Sequence, residues 1–129
     1  MKDKLEEVYD ALTSVPRFKE LVGDRIKAYE NPPSAKQTPL FVVIAPMGPQ
    51  SPGIAGSDGP LSVQFYFQIN VEGLVRKDVK EVAAIVAQTM SGLNFAQLET
   101  GLDEYFPDTK RFVDVRRYRG GGFLYDTNY

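Results

Sequence analysis

The chain contains neither histidine nor cysteine, so its candidates for chemistry are carboxylates, lysines, arginines, tyrosines and hydroxyls. That removes the usual base of a serine triad, the commonest zinc ligand, thiolate nucleophiles and disulfides. Asp103, Glu104, Asp108 and Asp114 lie close in sequence but lack the Asp-x-Asp-x-Asp-Gly spacing of a calcium loop. Basic residues sit beside them, so the spacing predicts ion pairs rather than a metal centre. No nucleophile, base and orienting group fall in a recognisable arrangement. The sequence therefore predicts no catalytic, cofactor-binding or metal-binding residues, and no enzyme.

Lys110, Arg111, Arg116, Arg117 and Arg119 place five of the 15 basic residues within ten positions. On a strand, Arg111 and Arg117 share a face with Val113 and Val115, and Arg116 lies opposite with Phe112 and Tyr118. One reading is a charged strand edge guarded against stray pairing. The other is a surface for an anionic partner or for DNA passing close by. Residues 46–60 form a second candidate region, with four glycines and four prolines in fifteen positions. Gly53, Gly56 and Gly59 are not followed by Gly-Lys-Ser/Thr or by a helix, so a phosphate cradle is not indicated. Connections of this length are uncommon without a function of their own. The composition fits a mobile, projecting hairpin loop that orders against a partner, and equally a loop that is simply flexible.

The positioning elements follow from hydrophobic spacing. Leu5, Val8, Tyr9 and Leu12 form one helical stripe. Pro16 restarts a short helix whose buried side is Phe18, Leu21 and Val22, and Gly23 is its expected cap. Leu12, Val15 and Phe18 are expected to share a pocket. A short strand over residues 26–29 precedes residues 40–45, an uninterrupted apolar run between Pro39 and Pro46. Such a run suits a strand covered on both faces. From 61 to 72, Leu61, Val63, Phe65, Phe67, Ile69 and Val71 alternate with Ser62, Gln64, Tyr66, Gln68, Asn70 and Glu72. At about 3.3 Å per residue this strand is roughly 40 Å long.

Asp78 and Glu81 have the spacing of a capping box ahead of a helix with Val79, Val82, Ala83, Val86, Met90 and Leu93 on its buried side. Residues 94–108 read as one more helical turn or an ordered loop. A last strand covers about residues 110–119, after which Gly120, Gly121 and Gly122 are expected to release an aromatic tail. The fold class is α+β: a small antiparallel or mixed sheet of about four strands, with helices packed on one face.

A chain of 129 residues predicts a single domain, 1–129, with a mobile loop at 46–60 and a C-terminal tail at 120–129. Its net charge of −2 excludes a bulk attraction to nucleic acid or membrane. The charged N-terminus lacks the apolar stretch of a signal peptide, so a soluble, cytoplasmic chain is expected.

The order of elements, the Tyr29-Glu30-Asn31-Pro32-Pro33 turn and the strand Pro39-Leu40-Phe41-Val42-Val43-Ile44 resemble a family. So do the variable loop, the long alternating strand and the helix that follows it. The chain looks like the small tail-terminator and head–tail joining (tail-completion) proteins of long-tailed bacteriophages and prophages. That resemblance implies a non-enzymatic virion protein, made in the bacterial host cytoplasm, that self-assembles as a ring, commonly a hexamer. Its implied partners are tail-tube and head-connector proteins, with at most weak, non-specific contact with DNA in the lumen. Arg111, Arg116, Arg117 and Arg119 would then face the lumen or a partner, and the loop around Gly53, Gly56 and Gly59 an interface. The alternative is a small α+β ligand-binding or regulatory module with the same layout. Mass in solution separates the two, since only the first is required to form or join rings.

Overall fold

The computed structural model describes residues 4–29, 38–47, 51–52 and 62–123. Helix α1 (Lys4–Thr13) buries Val8 and Leu12 and carries Glu6 and Glu7 in its first turn, where the helix dipole favours negative charge. Tyr9, expected on the same stripe, is instead exposed. Helix α2 (Pro16–Val22) begins at the proline, whose missing N–H costs nothing in a first turn, and buries Phe18 and Val22. Gly23 closes it at φ 62°, its N–H donating to the Lys19 carbonyl at 2.9 Å.

Strands β1 (Ile26–Ala28), β2 (Leu40–Pro46), β3 (Ser51–Pro52) and β4 (Ser62–Gly73) precede helix α3 (Arg76–Gly92), and β5 (Ala96–Phe106) and β6 (Arg111–Phe123) follow it. The sheet runs β1-β2-β4-β6-β5, with β3 pairing β4 from outside that path. The β1–β2 pair is parallel and all others are antiparallel. The sheet is thus mixed, one of the two forms the sequence leaves open, and it has six strands rather than about four.

Period two decides which face of the sheet is buried. Phe65, Phe67, Ile69 and Val71 of β4 join Leu40, Val42 and Ile44 of β2 and Tyr118 of β6 in one core with α1, α2 and α3. Gln64, Tyr66, Gln68 and Asn70 alternate with them at intermediate exposure. The central strand β2 is buried on both sides, as its continuous apolar run requires: Phe41 and Val43 point away from that core, yet are 1% and 5% exposed. The guanidinium of Arg111 lies over the Phe41 ring, 5.4 Å from its centroid.

Three expectations are corrected. First, α3 starts two residues before Asp78, with Val75 at its N-cap and no side-chain capping bond, so Asp78 and Glu81 form no capping box. Glu81 instead accepts from Arg17 of α2 at 2.5 Å, fastening two helices together. Second, much of residues 94–108 is strand β5, not a helical turn or loop. Its residues are almost all exposed on both faces, so they carry no alternation to read. Third, the three glycines do not release the chain: β6 continues to Phe123, opposite Ser62 of β4. At Gly120 a Cβ would lie 2.7 Å from the Phe95 ring, so the missing side chain makes room for an aromatic that also packs edge-on against Phe67.

The hairpin between β5 and β6 turns through residues 107–110, where Lys110 takes φ 58° and donates its N–H to the Phe106 carbonyl at 2.8 Å. A register shift between Gln97 and Gly101 interrupts β5. There Gly101 approaches the Val115 carbonyl so closely that a Cβ would stand 2.4 Å from its oxygen. The predicted projecting loop at 46–60 falls largely outside the described residues, which include only Pro46, Met47 and the two residues of β3 from it.

Candidate functional site

Alternation along β6 divides its basic residues between two surfaces. Arg116 points to the helix face with Asp114 and Tyr118, whereas Arg111, Arg117 and Arg119 share the opposite face with Val113 and Val115. For Arg111, Arg116 and Arg117 that division is the one the spacing predicts. What each arginine does there depends on its neighbours.

Arg111 is 3% exposed. Its Nε donates to Glu72 Oε2 at 2.6 Å and its Nη2 to the Thr38 carbonyl at 2.6 Å, so one side chain ties β6 to the end of β4 and to the entry of β2. This burial removes Arg111 from the surface set. Arg117 joins a polar ladder on the open face. Its Nε donates to Gln68 Oε1 at 3.0 Å, Gln68 donates to Asn70 Oδ1 at 3.2 Å, and the Tyr66 hydroxyl donates to Gln64 Oε1 at 3.0 Å. Arg119 is exposed beside Tyr66 and has no hydrogen bond or ion pair among the described residues. Arg117 and Arg119 are therefore the basic groups of β6 that the open face presents.

The helix face holds a four-residue charge cluster. Asp114, 2% exposed, accepts from Arg116 Nε at 2.9 Å and from Lys80 Nζ of α3 at 2.9 Å. Lys80 also pairs with Asp103 of β5. Arg116 adds a bond from Nη1 to Gln97 Oε1 at 3.3 Å. Pairing of Asp114 with a neighbouring arginine follows from the sequence. Lys80, a helix and a strand away, does not. The cluster pins the middle of the β5–β6 hairpin to α3. Around it, residues 97–103 and 114–116 line an open depression of about 360 Å³.

The charges tune one another in stated directions. Hydrogen bonding from Lys80 holds the Asp103 carboxyl below its ordinary value of 3.8. For Lys80, burial opposes the charge, but the bonds to Asp103 and Asp114 outweigh it and raise the ammonium above its ordinary 10.5. The bond to Asp114 likewise raises Arg116. A depressed carboxyl stabilises the fold above its unfolded value and loses that contribution as pH falls through the folded one. A raised ammonium stabilises below its unfolded value and loses its contribution as pH rises through the folded one. The Lys80–Asp103 pair therefore contributes in full between the ordinary carboxyl value of 3.8 and the ordinary ammonium value of 10.5. Carboxyl-detected NMR should find the Asp103 midpoint below the ordinary value, and Lys80→Ala should return it upward. An Asp103 midpoint unmoved by Lys80→Ala would show that the pair does not form in solution.

Among the described residues, no group of three or more acidic side chains is placed to hold a metal ion, and no helix is long and apolar enough to cross a membrane. Gly53, Gly56 and Gly59 lie outside the described residues. The features that sequence reasoning missed are the β5 strand itself and the apolar side chains it exposes: Leu102, Tyr105 and Phe106. A strand wet on both faces leaves no periodic signal. The remaining cue was the large apolar residues Leu98, Leu102, Tyr105 and Phe106 in a segment otherwise rich in carboxylates.

Neither a family model nor a curated protein matches the chain. Among solved structures, it superposes on a chain of the virion of native gene transfer agent (GTA) particle with a TM-score of 0.62. The match covers 89% of this chain and 92% of that chain at 20% sequence identity, which speaks for a common fold.

Proposed function

We propose that this protein is a non-enzymatic virion structural component that assembles as a ring, most simply a hexamer, ending a tail tube or joining it to a head. The observation that carries this reading is the fold shared with a chain of the GTA virion over nearly the full length of both. The family resemblance in the order of elements points the same way. Two features of the chain suit the role. The β5–β6 hairpin offers an exposed strand and exposed apolar side chains, which mark interaction surfaces. The open sheet face presents Arg117 and Arg119 in a chain of net charge −2. A conduit for DNA needs such weak, sequence-indifferent attraction, because tight phosphate contacts would stall the passing duplex. On this reading the partners are further copies of the chain, tail-tube protein and head connector. The chain turns over no substrate, takes no cofactor and works inside a particle built in a bacterial host.

Sedimentation at high concentration and electron microscopy of negatively stained protein, alone and with tail-tube protein, test the reading. Closed rings, free or capping tubes, are expected. A chain that stays monomeric under all of these conditions overturns it.

A further inference from the structure

The sheet ends in two unlike edges. Among the described residues, no strand pairs with the outer side of β5 or of β1. Free strand edges are templates for pairing with another chain, and their side chains decide which chain that is. Strand β5 is eleven residues long and carries Glu99, Asp103 and Glu104 with no basic residue. Asp103 is tied to Lys80, but Glu99 and Glu104 have no ion-pair partner among the described residues. At the other edge, Lys27 of β1 is exposed and equally unpaired, Arg25 precedes it, and Tyr29 is 70% exposed.

The registers put the relevant groups on one face. Lys27 lies opposite Val43, on the side of the sheet away from the helices. Leu102 and Glu104 lie opposite Val115 and Val113, on that same side, and Phe106 lies opposite Arg111. Pairing β5 with a second β5 would set carboxylates against carboxylates, and pairing β1 with a second β1 would set cations against cations. Like charges directly opposed destabilise a strand pair, whereas opposite charges support it. The two edges of this chain therefore repel their own kind and attract each other.

We infer that the β5 edge of one copy docks on the β1 edge of the next, continuing the sheet from subunit to subunit. Glu104 faces Lys27 of the next copy, and Leu102 and Phe106 pack beside its Tyr29. With three residues in β1, the ladder is a few hydrogen bonds long, so the charges and apolar side chains carry the specificity. The contact is head to tail, and a head-to-tail contact repeated with a closing rotation makes a ring. The inference rests on the ring reading and specifies its surface.

The chain's lack of cysteine makes the test direct. Glu104→Cys and Lys27→Cys both change exposed positions, so the fold tolerates them. Mixed under oxidation, the two single variants should give a covalent dimer, while neither should cross-link alone. A chain carrying both substitutions should give a ladder of covalent oligomers ending at the ring size. Lys27→Glu and Glu104→Lys should each weaken association about tenfold, and combining them in one chain should restore it. Rings that form with unchanged affinity in the charge variants and without cross-links in the mixture overturn this contact while leaving the ring reading intact. Cross-linking of Glu104→Cys with itself makes the contact two-fold and overturns it as well. A wild-type chain that forms no ring overturns both.

Discussion

Phe67→Ala should destabilise the fold by about 3–5 kcal/mol, the range for removing a buried aromatic ring. Phe67 lies in β4 between β2 and β6, is 3% exposed, and meets Phe95 edge-on with ring centroids 5.6 Å apart. Phe95 in turn fills the space left by Gly120, so the cavity would open beneath a contact that joins the α3–β5 connection to β6. Phe67 belongs to the one buried cluster that the sheet shares with the three helices, and close packing there leaves partial collapse little relief. Urea unfolding followed by circular dichroism measures the loss. Tyr66→Ala, one residue away on the half-exposed face, is the control, with an expected cost of about 1 kcal/mol or less. Equal costs at the two positions would reverse the assignment of faces, and with it the register of β4. If Phe67→Ala is too unstable to purify, Phe67→Leu provides a smaller loss in the same direction.

Asp114→Ala should cost about 2–3 kcal/mol, short of the 3–5 kcal/mol for breaking a fully buried ion pair. The carboxylate is buried, but its partners Lys80 and Arg116 are 25% and 30% exposed, so water compensates part of their lost pairing. Lys80 and Arg116 would both be left without the carboxylate they share. Asp114→Asn keeps a hydrogen-bond acceptor and should fall between wild type and alanine. A double-mutant cycle with Lys80→Ala isolates the pair, and the coupling between the two positions should be well above measurement error. Hydrogen exchange adds a spatial readout, because the loosened contact should speed exchange in β5 more than in β2. Uniform exchange changes across the sheet would show that Asp114 supports the whole core rather than the hairpin.

Much of this architecture was legible in the residues. Strict alternation from Phe65 to Val71 predicted which face of β4 is buried, and the structure buries that face. The uninterrupted run of β2 predicted cover on both sides, and Phe41 and Val43 are buried opposite the main core. Pro16 and Gly23 predicted the limits of α2. These features share one cause. Burial acts on apolar area, so a segment that must hide one face writes the period of its own backbone into its sequence.

The candidate site was less legible. The spacing divided Arg116 from Arg111 and Arg117, but it did not reveal that Arg111 is buried while Arg119 is exposed. Strand β5 was hidden because both its faces meet water, so neither period was imposed on it. The triple glycine read as a break, since a glycine that ends a strand and one that admits a neighbouring ring look alike until the ring is placed. Asp78 and Glu81 had the right spacing for a cap, and Arg17 on another helix engaged Glu81 instead.

By itself, then, the sequence determined the fold class and most of the buried faces, because composition and periodicity act locally along the chain. Only the tertiary structure decided the partners. Arg111 meets Glu72 across 39 residues and Thr38 across 73, and Lys80 meets Asp114 across 34. Any of several carboxylates could have answered either cation, since charge attraction carries no sequence address. The choice was made by packing, which brings some pairs within 3 Å and leaves Glu104 and Lys27 facing water at opposite edges of one sheet.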